Sequence, residues 1–249
     1  MRERIENGSE SRLIRNFRPL HIDASSISDA WFQLLYNIFD FGYTQEIQRG
    51  SFANEEKRIQ YPSISVFIEH PEQDMIPIIP AHLNIPSPTT KEYIESYCAN
   101  YLLSDKLAQN ETYTYGSRIC TKMPNGGDTQ LERIVSILKE TPQTNQAVIE
   151  IATPVDLDIC KDSQGHIDPP CLRLIDFKVI DGVLTMSVYF RSWDLWAGFP
   201  TNLGGLELMK EIVASETGLK NGPLYAYSAG AHIYGYSEEI ARIRTNRLL

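Results

Sequence analysis

No C-x-x-C pair occurs among the four cysteines, Cys98, Cys120, Cys160 and Cys171, which removes zinc ribbons and redox dithiols from the possible readings. Free thiols in a reducing compartment are expected instead, and with them a cytoplasmic location. Long hydrophobic runs are missing too: nothing approaches the roughly 18 uninterrupted apolar residues of a membrane span. The polar start MRERIENGSESR lacks the apolar centre of a secretory signal, so no membrane partner is expected. Positive charge is in deficit. The 23 Lys and Arg against 32 Asp and Glu give a formal charge of -9, which argues against a chain whose main task is gripping nucleic-acid phosphates. Internal repeats, low-complexity tracts, domain linkers and metal-ligand spacings are also absent. One α+β domain over residues 1–249 without a bound metal is the expectation.

What is present is enough apolar residues, 42% of 249, for a proper core. Residues 1–20 are charged and aperiodic and read as a flexible arm. Helical spacing runs over 27–42, with Ser26 or Ser28 as N-cap. Residues 59–69, IQYPSISVFIE, read as a strand whose beginning Pro62 keeps at an edge or bulge. The stretch 71–90 holds five prolines and suits an extended surface loop. Residues 91–103 and 130–140 read as helices, and QAVIEIA (146–152) as a buried strand. In LRLIDFKVIDGVLTMSVYF, Asp181-Gly182 between two strand-like runs marks a hairpin, because a tight mirror-image turn needs residues that accept positive φ. Its second strand alternates Leu184, Met186, Val188 and Phe190, which should face inward, with Thr185, Ser187, Tyr189 and Arg191. LGGLELMKEIVASETG reads as a helix ended near Gly218, GPLYAYSAGAHIYG as a strand and SEEIARIRTN as a last helix.

The segment RSWDLWAGFPTN, residues 191–202, mixes polar groups with two tryptophans. A packed core avoids such mixtures, whereas a pocket for a polar ligand requires them. Cys171 follows Pro169-Pro170 at the hairpin's opening, where its backbone is stiffened from one side. Alone it reads more readily as a small buried hydrophobe than as a nucleophile. Alone, Asn202 reads as a helix N-cap ahead of an amide that recognises a base edge. His232 and Tyr234, two apart on a strand, face one side.

Order along the chain adds to this. PPCLRLIDFKV, then YFRSWDLWAGFPTN, then AHIYG, with YTYG (113–116) upstream, resembles the thymidylate synthase family, which includes the pyrimidine hydroxymethylases. The resemblance spans about residues 113–236. It implies an α+β, thymidylate synthase-like fold, a large mixed β-sheet flanked by helices and packed back-to-back in a homodimer. It also implies methylation of carbon 5 of dUMP, a pyrimidine nucleotide monophosphate, with 5,10-methylene-tetrahydrofolate or a related methylene-pterin as co-substrate. In the roles so implied, Cys171 is the nucleophile, with Glu95 (or Glu92) as base and Tyr115 beside it. Arg191, Ser192 and Arg49 hold phosphate, Asn202 reads the base, and His232 and Tyr234 meet the sugar. Asp194, Trp193 and Gly198 form the pterin side, with Trp196 as a further wall. The chemistry suits these side chains: a thiolate adding at carbon 6 makes carbon 5 of uracil nucleophilic, and a nearby cation such as Arg191 favours the thiolate. Asn202 can donate to O4 of uracil while accepting from N3–H, whereas a carboxylate would suit cytosine.

The sequence departs from the family pattern in places. Gln146 and Ala147 stand where the family's partner-subunit arginines belong, which leaves Arg49 or Arg118 as substitutes. No tryptophan precedes YTYG, and Leu172 follows Cys171 where many members have histidine. The chain stops at Leu249, without the long closing tail of common members, as in shorter archaeal-type relatives. Hydroxymethylation of dUMP or UMP therefore stands as the alternative activity, and an inactive nucleotide-binding homologue as the alternative of another class.

Overall fold

The structure, a computed structural model, describes residues 18–47, 57–109, 111–124, 126–162 and 165–247. Most of the expected arm, and Arg49 with its QRGS segment, lie outside the described residues. Leu20 already belongs to a strand, so the charged start gives way to regular structure at the arm's last residue.

In chain order the elements are β1 (Leu20–Ala24), α1 (Ile27–Phe41), β2 (Tyr43–Glu46), β3 (Lys57–Tyr61), β4 (Ile64–Ile68), α2 (Lys91–Tyr97), α3 (Tyr115–Ile119), α4 (Gln130–Glu140), β5 (Val148–Glu150) and α5 (Asp156–Ile159). They continue with β6 (Leu172–Ile180), β7 (Val183–Phe190), β8 (Trp193–Asp194), α6 (Gly198–Thr217), β9 (Lys220–Ser228), β10 (Ala231–Tyr234) and α7 (Gly235–Thr245). The strands form two mixed sheets, one of six in the order β1-β4-β9-β7-β6-β5 and one of four in the order β2-β3-β10-β8. This is the expected α+β architecture, with the sheet divided in two.

Local chemistry explains most boundaries. Ser26 caps α1 by accepting from the Asp29 N–H. Thr129 and Glu132 close a reciprocal capping box at α4. Gly218, at φ 72°, ends α6. At the hairpin tip Asp181 (φ 50°) and Gly182 (φ 77°) both adopt positive φ, the mirror-image turn that their sequence calls for. Leu184, Met186, Val188 and Phe190 are fully buried and share one core with Leu203, Leu206, Met209 and Val213 of α6. That helix is buried on nearly every side, which accounts for its apolar residues all round.

Several expected runs divide. Residues 59–69 break at Pro62-Ser63 into β3 and β4, which belong to different sheets. GPLYAYSAGAHIYG breaks likewise at Ala229-Gly230 into β9 and β10. The hairpin strand β7 hands over to β8 through Arg191-Ser192. Three two-residue crossings thus stitch the sheets together, tied by Trp193 N–H to Gly230 O (3.0 Å) and Ala229 N–H to Phe190 O (3.2 Å). The expected helix 91–103 keeps α-geometry only to Tyr97 and widens to a π-turn over Cys98–Leu102. The strand expected at 146–152 shortens to β5 at the sheet edge, with Ile149 buried and Glu150 exposed.

Candidate active site

Cys171 stands immediately before β6 and Arg191 immediately after β7, so the hairpin brings them together at its open end. The Arg191 N–H donates to Cys171 O at 2.8 Å. The guanidinium folds back over the loop that carries the thiol: Nε donates to Pro169 O at 3.1 Å, and a terminal nitrogen to Asp168 Oδ1 at 3.1 Å. Burial pushes the Cys171 thiol above its ordinary 9.0; Arg191 opposes that shift and Asp168 adds to it. The thiol is therefore protonated at rest. Around it stand phenols: burial raises Tyr101, Tyr113, Tyr115 and Tyr234, and a thiolate at Cys171 would raise each further. Tyr115 is held by the Leu172 N–H, which donates to its hydroxyl at 3.2 Å. Tyr113, which opens the YTYG motif, joins this group, as does Tyr101, which no motif marked.

Asn202 lies inside α6 rather than ahead of it, which removes the N-cap reading. The turn into that helix is capped by Asp194, whose Oδ1 accepts from Trp196 N–H (3.0 Å) and Oδ2 from Ala197 and Gly198 N–H (3.1 and 3.0 Å). Burial still raises the Asp194 pKa against those three donors and the Tyr236 hydroxyl. The Tyr236 hydroxyl is a fourth partner of this carboxylate, which fills its about four acceptor positions. Trp193 is buried, stacked on Phe190 at 4.1 Å, and its indole N–H donates to Asn202 Oδ1 at 3.0 Å. Trp196 is buried as well and tilts against Trp31. Ser192 is partly buried at the crossing between the sheets.

The small sheet supplies a polar row. His232 pairs with Gln60 on one side and Asp194 on the other, and Tyr234 pairs with Arg58. Paired positions share a face. His232 is 2% exposed, and its Nδ1–H donates to Gly230 O at 2.8 Å. That bond fixes the tautomer, because a carbonyl only accepts. Burial lowers its pKa to about 4, so the ring is neutral. His232 Nε2, Gln60 Oε1 and Arg58 Nε are buried without a hydrogen-bond partner among the described residues. Such orphans in a fold are expected to meet a ligand or water. Arg58 and Gln60 escaped the sequence reading; the alternation in KRIQY, which puts both on one face with Ile59 on the other, was the available signal.

Not every expected residue joins this group. Glu95 is exposed, 3.8 Å from Lys91, and lines a 420 Å³ cavity with Glu72, Asp74, Met75 and Leu208. None of the groups described around Cys171 lines that cavity. Glu92 is exposed in the first turn of α2. The residue of α2 that reaches the site is Tyr97, whose hydroxyl accepts from Asn202 Nδ2 at 2.9 Å. Arg118 is committed elsewhere, 2.6 Å from the fully buried Asp156. Gln146 is exposed and Ala147 fully buried. Among the described residues no cluster of three or more His, Cys, Asp or Glu could hold a metal, and no helix is long and apolar enough to cross a membrane.

A family model described as thymidylate synthase matches residues 90–247, the part of the chain that carries Cys171, Arg191, Asn202 and His232. This chain belongs to the thymidylate synthase family. Similar proteins carrying the name "Putative thymidylate synthase" include one from Methanosarcina mazei, 33% identical over 216 residues that cover 86% of this chain and 89% of that one. Another, from Methanothermobacter thermautotrophicus, is 29% identical over 221 residues, covering 86% and 92%. The thymidylate synthase of varicella-zoster virus is 36% identical over 108 residues, 43% of this chain and 34% of its own. Among solved structures, a thermostable thymidylate synthase A from Bacillus subtilis superposes with a TM-score of 0.66 at 16% identity, over 89% of this chain and 84% of that one. That likeness establishes the thymidylate synthase fold.

Proposed function

We propose that this member of the thymidylate synthase family methylates carbon 5 of dUMP through a covalent adduct to Cys171. The observation that carries the reading is the hairpin mouth, where the Cys171 thiol lies in the field of Arg191, which also reaches the neutral His232 with its orphaned Nε2. Arg191 draws the thiol toward its ionised form, and adding the thiolate to carbon 6 moves the ring's electron pair toward O4. Asn202 holds the base edge, while His232, a neutral acceptor at Nε2, and Tyr234 hold the sugar hydroxyl. Arg191 and Ser192, with Arg49, take the phosphate. When bound, 5,10-methylene-tetrahydrofolate or a related methylene-pterin supplies the one-carbon unit and the hydride. Asp194, Gly198, Trp193 and Trp196 line its side. Tyr115 holds the backbone next to the nucleophile, and Glu95 stands as the proton relay only if α2 brings it inward on ligand binding. A homodimer packed through the six-stranded sheet completes the reading.

The test is Cys171→Ala. The variant should bind dUMP yet release no tritium from its carbon 5, whereas wild type with a methylene-pterin releases tritium and yields a methylated product by mass. Full turnover by the variant overturns the adduct, and a hydroxymethyl product from wild type overturns the reductive step.

A further inference from the structure

Asn202 has two acceptor positions on its oxygen and two N–H bonds on its nitrogen. One of each is already used. Trp193 Nε1–H donates to the oxygen at 3.0 Å, and the nitrogen donates to Tyr97 Oη at 2.9 Å. An indole nitrogen can only donate, so the atom that faces it must be the amide oxygen; rotating the amide by half a turn would set two donors against each other. A phenol can donate or accept, so Tyr97 tolerates either orientation. The indole itself has no freedom to turn away: Trp193 is 2% exposed, stacked on Phe190 at 4.1 Å and packed on Phe199 at 4.6 Å. Tyr97 is brought to Asn202 because α6 presents Gly204 and Gly205 to α2, where a Cβ on Gly205 would come within 2.5 Å of the Tyr97 ring.

We infer that the indole N–H of Trp193 determines base specificity. It fixes Asn202 with one N–H and one oxygen lone pair left for a ligand, in the order that pairs with O4 and N3–H of uracil. The reversed amide would pair with the N4 amino group and N3 of cytosine equally well, and Trp193 forbids that rotation. A bare asparagine therefore reads both bases, and the tryptophan makes it read one. Trp193 is thus a positioning residue, and Tyr97 supports the amide without selecting its orientation. The inference rests on the proposed binding of a pyrimidine nucleotide at Cys171.

The experiment compares dUMP with dCMP, by equilibrium binding and by tritium release from carbon 5. Wild type should prefer dUMP by about 100-fold or more, since a site built for one hydrogen-bond pattern leaves buried groups unpaired with the other. Trp193→Phe should narrow that preference by about 10-fold or more, chiefly through tighter dCMP binding. Replacing Trp193 by β-(3-benzothienyl)alanine, which exchanges the N–H for sulfur at nearly constant shape, should do the same and guards against a folding defect in the smaller variant. Tyr97→Phe should weaken both nucleotides and leave their ratio within about 2-fold. An unchanged preference in the benzothienyl variant overturns the inference while leaving the proposed activity intact. Binding of neither nucleotide by wild type overturns both.

Discussion

At the scale of single residues, the proposed chemistry depends on how Cys171 loses its proton. Desolvation holds the thiol up and Arg191 pulls it down, with burial the stronger of the two. Alkylation by iodoacetamide, which consumes the thiolate, should accelerate with pH and level off only above the ordinary 9.0. Arg191→Gln removes the lowering influence, so its profile should move to still higher pH. A profile that moves down, or stays in place, means that the guanidinium serves the Asp168–Pro170 loop rather than the sulfur. The same balance gives the nucleotide a role. In the proposed complex a phosphate on Arg191 would change the thiol's surroundings, so rates measured without ligand report the resting state alone.

At the scale of elements, α6 is the part on which the site is built, and a fully buried ion pair anchors it. Lys210 Nζ lies 3.0 Å from Glu207 Oε2, and Asn221 Nδ2 donates to Glu207 Oε1 at 2.7 Å. Lys210 also donates to Gly222 O, which binds the helix to β9. Burial raises Glu207 and lowers Lys210, each shift opposed by the partner. Lys210→Met strands a carboxylate in the core and should destabilise the protein by about 3–5 kcal/mol. Adding Glu207→Gln should recover most of that loss in urea unfolding; no recovery would mean that packing of the lysine stem, not charge pairing, is what α6 needs. The element scale also shows what was legible beforehand. The Asp181-Gly182 hairpin was, because turn chemistry and strand alternation are both local. The divisions at Pro62 and Gly230 were not, because apolar alternation continues through a bend and only tertiary pairing reveals that the two halves serve different sheets. Asn202 looked like a cap because Gly198 and Pro200 resemble a turn; its helix starts earlier, held by Asp194 from upstream. Tyr97 was hidden because its reach depends on two glycines more than a hundred residues away. Cys171, Arg191, His232 and Tyr234 were legible from motif order, since two hairpin ends and an alternate strand position suffice to place them.

At the scale of the whole molecule, the face of the six-stranded sheet opposite the core carries Phe67, Tyr225, Ser187, Tyr189 and Tyr227. Phe67 and Tyr225 are cross-strand partners with rings 5.3 Å apart, and Tyr189 pairs with Tyr227. Tyr189 and Tyr227 remain 36% and 42% exposed, which is unusual for paired aromatics at a sheet centre and suits a second copy packed face to face. Light scattering should give the mass of two chains, and Tyr227→Glu should shift it toward one; a wild-type monomer with full activity would remove the dimer from the proposal. The stitching of the two sheets has a mechanical corollary. The sulfur and its arginine sit at strand ends of one sheet, while the imidazole, phenol and carboxylate sit on the other, and three short crossings join the two at the seam. A nucleotide bound as proposed would lie across it and act as a strut. In that arrangement, fastening base, sugar and phosphate at once would also hold the two sheets in register, so occupancy and alignment of the reacting atoms would become one event.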